Sequence, residues 1–261
     1  LNTLDGHTSG TVNANTVSTL SGAAADLNTA YDSAGISNLG DEDVTLTDTS
    51  LAASVLNTLD GNTSGTVNAN TVSTLTGTAS DLITAYASDG ISNLGDEAVS
   101  VSSGNASTSQ ANTLAAATSG VVTATLSDGD LSTLAGLTET GNAYSITITD
   151  TSVDAAALNT LDGKTTVAID ASVITTLTGS ASDLNTAYDS DGISNLGNEA
   201  VTLSDTTLAV SVLNTLDGNT TGAIDAGTVT TLTSDDYDSL NTAYPSANGG
   251  AITGLGDEAI S

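Results

Sequence analysis

Short segments that alternate apolar and polar residues recur along the whole chain and share one form. Each has Val or Ile first, a polar residue second and another apolar residue third. The segments begin at Val12, Val44, Val67, Val99, Val122, Ile146, Ile169, Val201 and Ile224. Successive side chains of a strand point to opposite faces, so this pattern predicts a set of strands that each bury one face.

The second apolar position of these segments alternates between small and large side chains. The small ones are Ala14, Ala69, Ala124, Ala171 and Ala226, and the large ones are Leu46, Val101, Ile148 and Leu203. Alternating sizes would let stacked layers interdigitate at the density of a protein interior. A disordered chain needs no such period, so the pattern predicts a folded repeat despite a net charge of -30.

The segments start at 23-, 24- or 32-residue spacings, and a longer repeat is superimposed on them. The motif LNTL begins at residues 1, 56, 158 and 213, and its variant ANTL begins at 111. The chain is therefore predicted to be a single continuous array over 1–261, built of 55-residue double coils with a shortened copy at 111–157. Because it begins and ends within a motif, we expect it to be an excerpt of a longer protein.

The segment DTSLAASVLNTLDG, residues 48–61, carries an apolar stripe with helical spacing. The stripe is formed by Leu51, Val55 and Leu59. This spacing predicts a helix that packs on the strands. Asp48 or Thr49 is expected to cap its start, and Gly61 is expected to end it in the left-handed conformation.

The longer coil has a different pattern of predicted elements. Residues 72–77, VSTLTG, are predicted to form a turn, and SDLITAY, from Ser80 to Tyr86, is predicted to form a helix with Ser80 as its N-cap. Residues 90–97, GISNLGDE, close the coil as an extended loop bounded by glycines.

These elements together predict an α/β solenoid. Its parallel sheet takes one strand from each 23- or 32-residue coil, and short helices lie opposite the sheet. The alternative is an all-β solenoid, because Thr, Ser and Asn dominate the predicted helices and are mediocre helix formers.

Composition and charge exclude several functions. The chain has no Cys, Met, Trp or Phe, and Lys and Arg together number 1, so no basic patch exists to bind nucleic acid or an anionic membrane. No apolar run approaches the length of a membrane span, which excludes insertion. His7 is the sole histidine, and the matching positions hold Asn62, Lys164 and Asn219. No catalytic set can be assembled around it, so we expect no enzyme activity.

The segment DSDGISNLGNE resembles a calcium loop. Asp189, Asp191 and Glu199 would supply hard oxygen ligands, and the glycine would allow the sharp turn. Other copies have Ala34 or Ala87 in place of one aspartate. A solvated turn therefore stays open as the alternative, and no cofactor other than Ca²⁺ is expected.

The middle residues of the alternating segments are predicted to form a row of small polar side chains on the outer face of the sheet. They are Asn13, Thr45, Asn68, Ser100, Thr123, Thr147, Asp170, Thr202 and Asp225. Such a flat polar face could bind a glycan or ice, so a binding module is the alternative function. A solvated face is the simpler interpretation.

The full motif, LNTLDGNTSGTVNANTVSTLTGTASDL followed by AYASDGISNLGDEAV, resembles the giant repetitive cell-surface proteins of marine picocyanobacteria, of the type linked to swimming in marine Synechococcus. The resemblance implies an extracellular or outer-surface location and a structural, adhesive or motility role. It provides no functional residues. The expected partners are further copies stacked end to end, neighbouring repeats of a parent chain, or a glycan or cell surface.

Overall fold

The structure, a computed structural model, describes residues 1–234, 236–249 and 251–261. The chain divides into two compact units, the first formed by Leu1–Ser127 with Asn142–Tyr144 and the second by Asp128–Gly141 with Ser145–Ser261. Each unit is an α/β solenoid in which parallel strands alternate with short helices, as predicted. The single continuous array over 1–261 stays a prediction.

Helices form in both segments that were predicted to be helical, with different boundaries, and this decides against the all-β alternative. The helices are α1 (Asn2–Asp5), α2 (Ala24–Asp32), α3 (Ala53–Asn62), α4 (Ala79–Ala87), α5 (Thr108–Ala117), α6 (Leu131–Leu134), α7 (Ala155–Asp162), α8 (Ala181–Asp189), α9 (Val210–Asn219) and α10 (Tyr237–Gly249).

The strands are short. The first twelve are β1 (Val12–Asn13), β2 (Thr19–Gly22), β3 (Ile36–Ser37), β4 (Asp43–Leu46), β5 (Ser50–Ala52), β6 (Val67–Asn68), β7 (Thr74–Gly77), β8 (Ile91–Ser92), β9 (Ala98–Val101), β10 (Val122–Thr125), β11 (Ala143–Ser145) and β12 (Ser152–Asp154). The others are β13 (Ile169–Asp170), β14 (Thr176–Gly179), β15 (Ile193–Ser194), β16 (Ala200–Leu203), β17 (Thr207–Ala209), β18 (Ile224–Asp225), β19 (Thr231–Thr233), β20 (Ile252–Thr253) and β21 (Ala259–Ile260).

The strands form several separate parallel sheets rather than one. In the first unit the orders are β1-β3, β2-β4-β6-β8 and β5-β7-β9-β10-β11. In the second unit they are β12-β14-β16-β18-β20, β13-β15 and β17-β19-β21. Each coil thus contributes more than one strand, and the prediction of one strand per coil is wrong.

The predicted 32-residue coil is also wrong. Val67 pairs with Ile91 and not with Val99. The segment GISNLGDE, predicted as a loop, contains the strand β8, and Val99 pairs instead with Leu75 of β7, in the segment predicted as a turn. Residues that pair between these neighbouring coils are therefore 23 or 24 positions apart in the sequence. The residues from Ile91 to Val99, which account for the longer spacing, continue along the same coil.

The helix α3 begins later than predicted, because residues 50–52 pair as the strand β5. Its N-cap is Ala52, which makes no side-chain cap hydrogen bond. Asp48 caps a different helix: its Oδ2 accepts from the N–H of Ala24, in the first turn of α2, at 2.8 Å. Asp48 thus accepts from a backbone N–H of the preceding coil that has no acceptor within its own helix. The residues around Asp48 in the sequence do not indicate this contact.

Two other predicted helix signals are wrong. Gly61 lies inside α3, which ends at Asn62 and is followed by an extended Thr63. The N-cap of α4 is Thr78 rather than Ser80, and its hydroxyl oxygen accepts from the N–H of Asp81 at 3.1 Å.

The two-residue register of the strands is confirmed. The small and large inward residues at the second apolar position are all buried, as are the first apolar residues except the partly buried Val12. Leucines of the helices fill the same core, including Leu56, Leu59 and Leu82 at 0% exposure. Burial of these rows is the main stabilising contribution, and it fixes which face of each strand is polar.

Candidate functional site

The asparagine of LNTL joins each helix to the next. Asn57 of α3 donates from Nδ2 to the backbone carbonyl of Asp81 in α4 at 2.9 Å. The other copies of this bond are Asn2 to Asp26, Asn159 to Asp183 and Asn214 to Ser239. The residue recurs because the helix of each LNTL copy makes the same contact with the helix that follows it.

The aspartate of the same motif holds a turn of the following coil. Asp60 accepts from the Ser88 hydroxyl at 2.7 Å, and a Cβ on Gly90 would stand 2.2 Å from Asp60 Oδ1. Asp5 with Ser33 and Asp162 with Ser190 repeat the bond. A Cβ at this glycine would thus displace the aspartate carboxylate that bonds the serine.

A buried glutamate forms the centre of a third contact. Glu97 is 0% exposed, and its Oε2 accepts from the Tyr86 hydroxyl at 3.0 Å and from the Gly95 N–H at 2.9 Å. Its backbone carbonyl accepts from the Thr118 hydroxyl of the next coil at 2.7 Å. We call the set Tyr86–Glu97–Thr118 a clasp. Two other clasps are Tyr31–Glu42–Thr63 and Tyr188–Glu199–Thr220.

A glycine two residues after the clasp threonine lets the coils meet. A Cβ on Gly120 would lie 2.2 Å from the Glu97 carbonyl oxygen, closer than any such contact in a folded protein. Gly65 and Gly222 stand in the same relation to Glu42 and Glu199, at 2.3 and 2.1 Å. Tyrosine, glutamate, threonine and glycine thus act together across two coils.

The clasp keeps its tyrosine protonated. Burial, with the negative charge of Glu97 next in size, raises the pKa of Tyr86 well above its usual range. Burial likewise raises the pKa of Tyr188 above that range, and it raises the pKa of Tyr31 to about 12. A neutral phenol is the form that can donate to the carboxylate.

We expect the protein to lose stability as the pH rises from about 10 through 12. In that window the unfolded tyrosines release protons near pH 10 while the folded ones keep them, so deprotonation favours the unfolded state. The stabilisation is complete below pH 10 and is lost above it. Melting temperature measured against pH should show this fall, and the double variant Tyr86→Phe/Tyr188→Phe should flatten it. A melting temperature constant from about pH 9 to 12 contradicts the assignment.

The residues of the expected calcium site differ in their exposure to solvent. Asp189 ends α8 and is exposed, Asp191 is exposed, and Glu199 is buried. Glu199 Oε2 accepts from the Tyr188 hydroxyl and from the N–H groups of Gly197 and Asn198. Among the described residues, Glu199 Oε1 has no hydrogen-bond partner, but neither has Glu42 Oε1. The unpartnered oxygen thus also occurs in the copy that has Ala34 in place of Asp191, whereas Glu97 Oε1 accepts from the Gly95 N–H at 3.2 Å.

Calcium binding at Asp189, Asp191 and Glu199 stays a prediction. Within the described part of the chain, no group of three or more His, Cys, Asp or Glu side chains is placed to hold a metal ion. If the turn chelates, Ca²⁺ at fixed ionic strength should raise the melting temperature, and Asp191→Ala should remove the increase. If neither Ca²⁺ nor a chelator changes the melting temperature, the segment is a turn that binds no Ca²⁺.

The outer polar row is exposed in part and is divided among the sheets. Thr45, Thr123, Thr147 and Thr202 are exposed, whereas Asp170 is partly buried. Several members bond to their neighbours. Asn38 donates to Asn13, Asn93 to Asn68 and Asn195 to Asp170, and the Asn195 bond together with the Ser172 amide lowers the pKa of Asp170. A molecule that binds this face would therefore contact short rows of threonine hydroxyls separated by asparagine amides.

The sole histidine and the sole lysine each contact a backbone carbonyl, His7 within its own helical turn and Lys164 in the preceding coil. His7 Nδ1 lies 2.6 Å from the Thr3 carbonyl oxygen, and Lys164 Nζ donates to the Thr138 carbonyl at 2.9 Å. Over the residues that the structure covers, no helix has the length and apolar character needed to cross a bilayer.

The clasps and the inter-helix asparagines were missed by the sequence analysis. One feature of the sequence could have revealed the clasps. In three copies the glutamate follows the tyrosine by 11 residues, and the threonine follows the glutamate by 21 residues. No family model matches the chain, and neither a curated protein nor a solved structure matches it.

Proposed function

We propose that the chain is a non-enzymatic structural segment of a large extracellular repeat protein, serving at the cell surface as a spacer, coat or filament. One observation carries the proposal: the polar side chains that recur in most copies bond between coils. Asn57, Asp60 and Thr118 each engage a neighbouring coil. An array needs such contacts, whereas an active site needs groups aimed at a substrate.

A role in motility or adhesion follows from the resemblance to picocyanobacterial surface proteins. The acidic surface agrees with exposure to a saline medium, where the charge of -30 would be screened within about 10 Å. Antibodies raised against the chain should label intact cells of the source organism, and protease treatment of intact cells should remove the label. Label that requires permeabilised cells contradicts the proposed location.

A glycan- or ice-binding module is the second candidate, and it rests on the exposed threonines of the outer strand row. Glycan-array and ice-recrystallisation assays test it directly. Binding that is lost in Thr45→Ala/Thr202→Ala, with no change in melting temperature, would support this candidate over the structural role. The matched control is Thr58→Ala, on the exposed face of helix α3.

A further inference from the structure

Two helices of this chain end in an exposed aspartate, at a place where a positive charge is favourable. Helix α2 ends at Asp32 and α8 ends at Asp189, and neither has a basic residue in its last turn. The carbonyl groups at a helix C-terminus carry partial negative charge, so they repel a carboxylate and attract a cation. The equivalent helix α4 ends at Ala87 and avoids this repulsion.

Each of these aspartates shares a helix face with an asparagine that reaches the next helix. Asn28 lies four residues before Asp32, which places both side chains on the same side of α2. Asn62, at the end of α3, donates from Nδ2 to Asn28 Oδ1 at 3.0 Å, so this bond does not use its own amide oxygen. We call these three residues the first Asn–Asp–Asn set. The second set, equivalent by position, is formed by Asn185, Asp189 and Asn219.

A third groove of the same kind lacks all three polar residues. The equivalent positions between α4 and α5 are held by Ile83, Ala87 and Ala117, which line one groove. By equivalence, each Asn–Asp–Asn set surrounds the corresponding groove between its own two helices. A hydrogen bond between helices needs only the two asparagines, so it does not explain why the aspartate is replaced together with them.

A buried carboxylate oxygen without a partner accompanies the two polar grooves. Glu42 is 0% and Glu199 is 1% exposed, and the Oε1 of each lacks a hydrogen-bond partner among the described residues, whereas Glu97 Oε1 accepts a backbone N–H at 3.2 Å. Tyr31 and Thr63, the partners of Glu42, are the sequence neighbours of the aspartate and of the second asparagine of the first set. Of the three clasps, the two beside a polar groove thus contain the unsatisfied oxygen, and such an atom calls for a bound ion or water.

We propose that each Asn–Asp–Asn set binds a Ca²⁺ ion between two stacked helices. The aspartate supplies negative charge, and the asparagines supply amide oxygens, which are ligand types that Ca²⁺ prefers. The carbonyl end of the helix and the buried glutamate add to the negative potential at the groove. With one aspartate in each set, the affinity should be low, with a Kd of about 10⁻⁴ to 10⁻³ M, as in extracellular calcium modules. Each ion would join two neighbouring coils.

This site differs from the loop site predicted from the sequence. The loop site needs Asp191, whereas the copy that contains the first Asn–Asp–Asn set has Ala34 at that position. The two sites have Asp189 in common, so a variant of Asp191 distinguishes them.

Calcium titration of the intact chain by isothermal calorimetry measures affinity and stoichiometry together. The buffer should contain roughly 1 M NaCl, where the Debye length is about 3 Å, so that Ca²⁺ attracted only by the net charge of -30 is not counted. We expect the chain to bind two Ca²⁺ ions. Asp32→Asn and Asp189→Asn should each remove one, and because both residues are exposed, neither variant should disturb the fold.

Asp191→Asn is the matched control. It removes the same charge from an exposed residue two positions beyond Asp189, and it should leave both sites intact. If Asp191→Asn removes a site as Asp189→Asn does, the ion is bound by the loop and the proposal is overturned.

Transfer of the set to the apolar groove is the decisive test. The triple variant Ile83→Asn/Ala87→Asp/Ala117→Asn installs it between α4 and α5, and this variant should bind three Ca²⁺ ions instead of two. The control Ile83→Asn/Ala117→Asn rebuilds the asparagine pair without the aspartate and should bind two. The proposal is overturned if the unmodified chain binds no Ca²⁺, if Asp32→Asn and Asp189→Asn keep both sites, or if the triple variant folds and still binds two.

The inference goes beyond the proposed structural function, and the two can fail separately. A chain found only inside cells that binds Ca²⁺ through Asp32 and Asp189 would keep the site and remove the proposed location. Surface labelling of cells together with a chain that binds no Ca²⁺ would do the reverse.

Discussion

Ile148→Asp should lower the free energy of unfolding by about 4 kcal/mol, the largest single effect expected in this chain. Ile148 is 0% exposed and occupies the second inward position of its alternating segment, so a carboxylate there would be buried without a counter-charge. The adjacent Thr147 is exposed. Thr147→Asp should therefore cost about 0.5 kcal/mol or less.

The pair is a matched test because both variants add one negative charge at almost the same place. Repulsion from the other carboxylates is then nearly equal, and the difference reports burial alone. Chemical denaturation followed by circular dichroism gives both free energies. Similar losses in the two variants would show that Ile148 does not face the core.

The inward register was predictable because it is a local property. A two-residue alternation assigns each side chain of a strand to a face whatever the strand pairs with, and Ile146 and Ile148 are buried while Thr147 and Thr149 are exposed. Pairing is not local. The intervals of 23 and 32 residues between like segments describe the repetition of the sequence and not the stacking of the coils, so they could not reveal that Val67 pairs with Ile91, 24 residues later.

Helix starts failed for a related reason. Leu51 fits a helical stripe with Val55 and Leu59, but it also fits a strand, and its pairing with Leu75 in the next coil decides the outcome. The same holds for Asp48, whose carboxylate caps α2 of the preceding coil rather than its own helix. In short segments with mediocre helix propensity, contacts with neighbouring coils decide which secondary structure forms.

Comparison of the copies contained more information about contacts than periodicity did. Asn62 donates to Asn28 at 3.0 Å, and Asn219 donates to Asn185 at the same distance. In another pair of coils, both asparagines are replaced together, by Ile83 and Ala117, which line one apolar groove. Joint replacement of this kind signals contact, and it was readable from the sequence alone.

For the calcium motif, which stays a prediction, the sequence alone did not show where each carboxylate would lie. Asp189, Asp191 and Glu199 have the residue types and spacing of a calcium loop. The pattern does not specify that Glu199 turns inward to Tyr188, because that direction depends on the helix before it and the coil after it. A ligand pattern read along one segment cannot distinguish a chelating carboxylate from one that holds two coils together.

Gly120→Ala should lower the free energy of unfolding by about 2 to 3 kcal/mol, the second largest effect expected. The Cβ of the alanine would stand 2.2 Å from the Glu97 carbonyl oxygen and 2.5 Å from its carbon, so the backbones of two coils must separate. Separation would lengthen the Thr118 bond to the same carbonyl, now 2.7 Å, and would expose the buried carboxylate of Glu97.

Gly61→Ala is the control within the same chain. Gly61 lies in α3 with nothing within 4 Å of its Cβ position, so alanine should be neutral or should stabilise by about 0.5 to 1 kcal/mol through helix propensity. Neither glycine has a positive φ, so backbone strain does not separate the two variants. Denaturant midpoints at constant slope give the comparison, and equal changes in both variants would contradict the close approach of the coils.

Gly65→Ala and Gly222→Ala should repeat the loss, whereas Gly10→Ala should leave the free energy of unfolding of the single chain unchanged. Glycine-to-alanine substitution should therefore destabilise the fold only where a neighbouring coil covers the glycine, which makes it a direct probe of stacking.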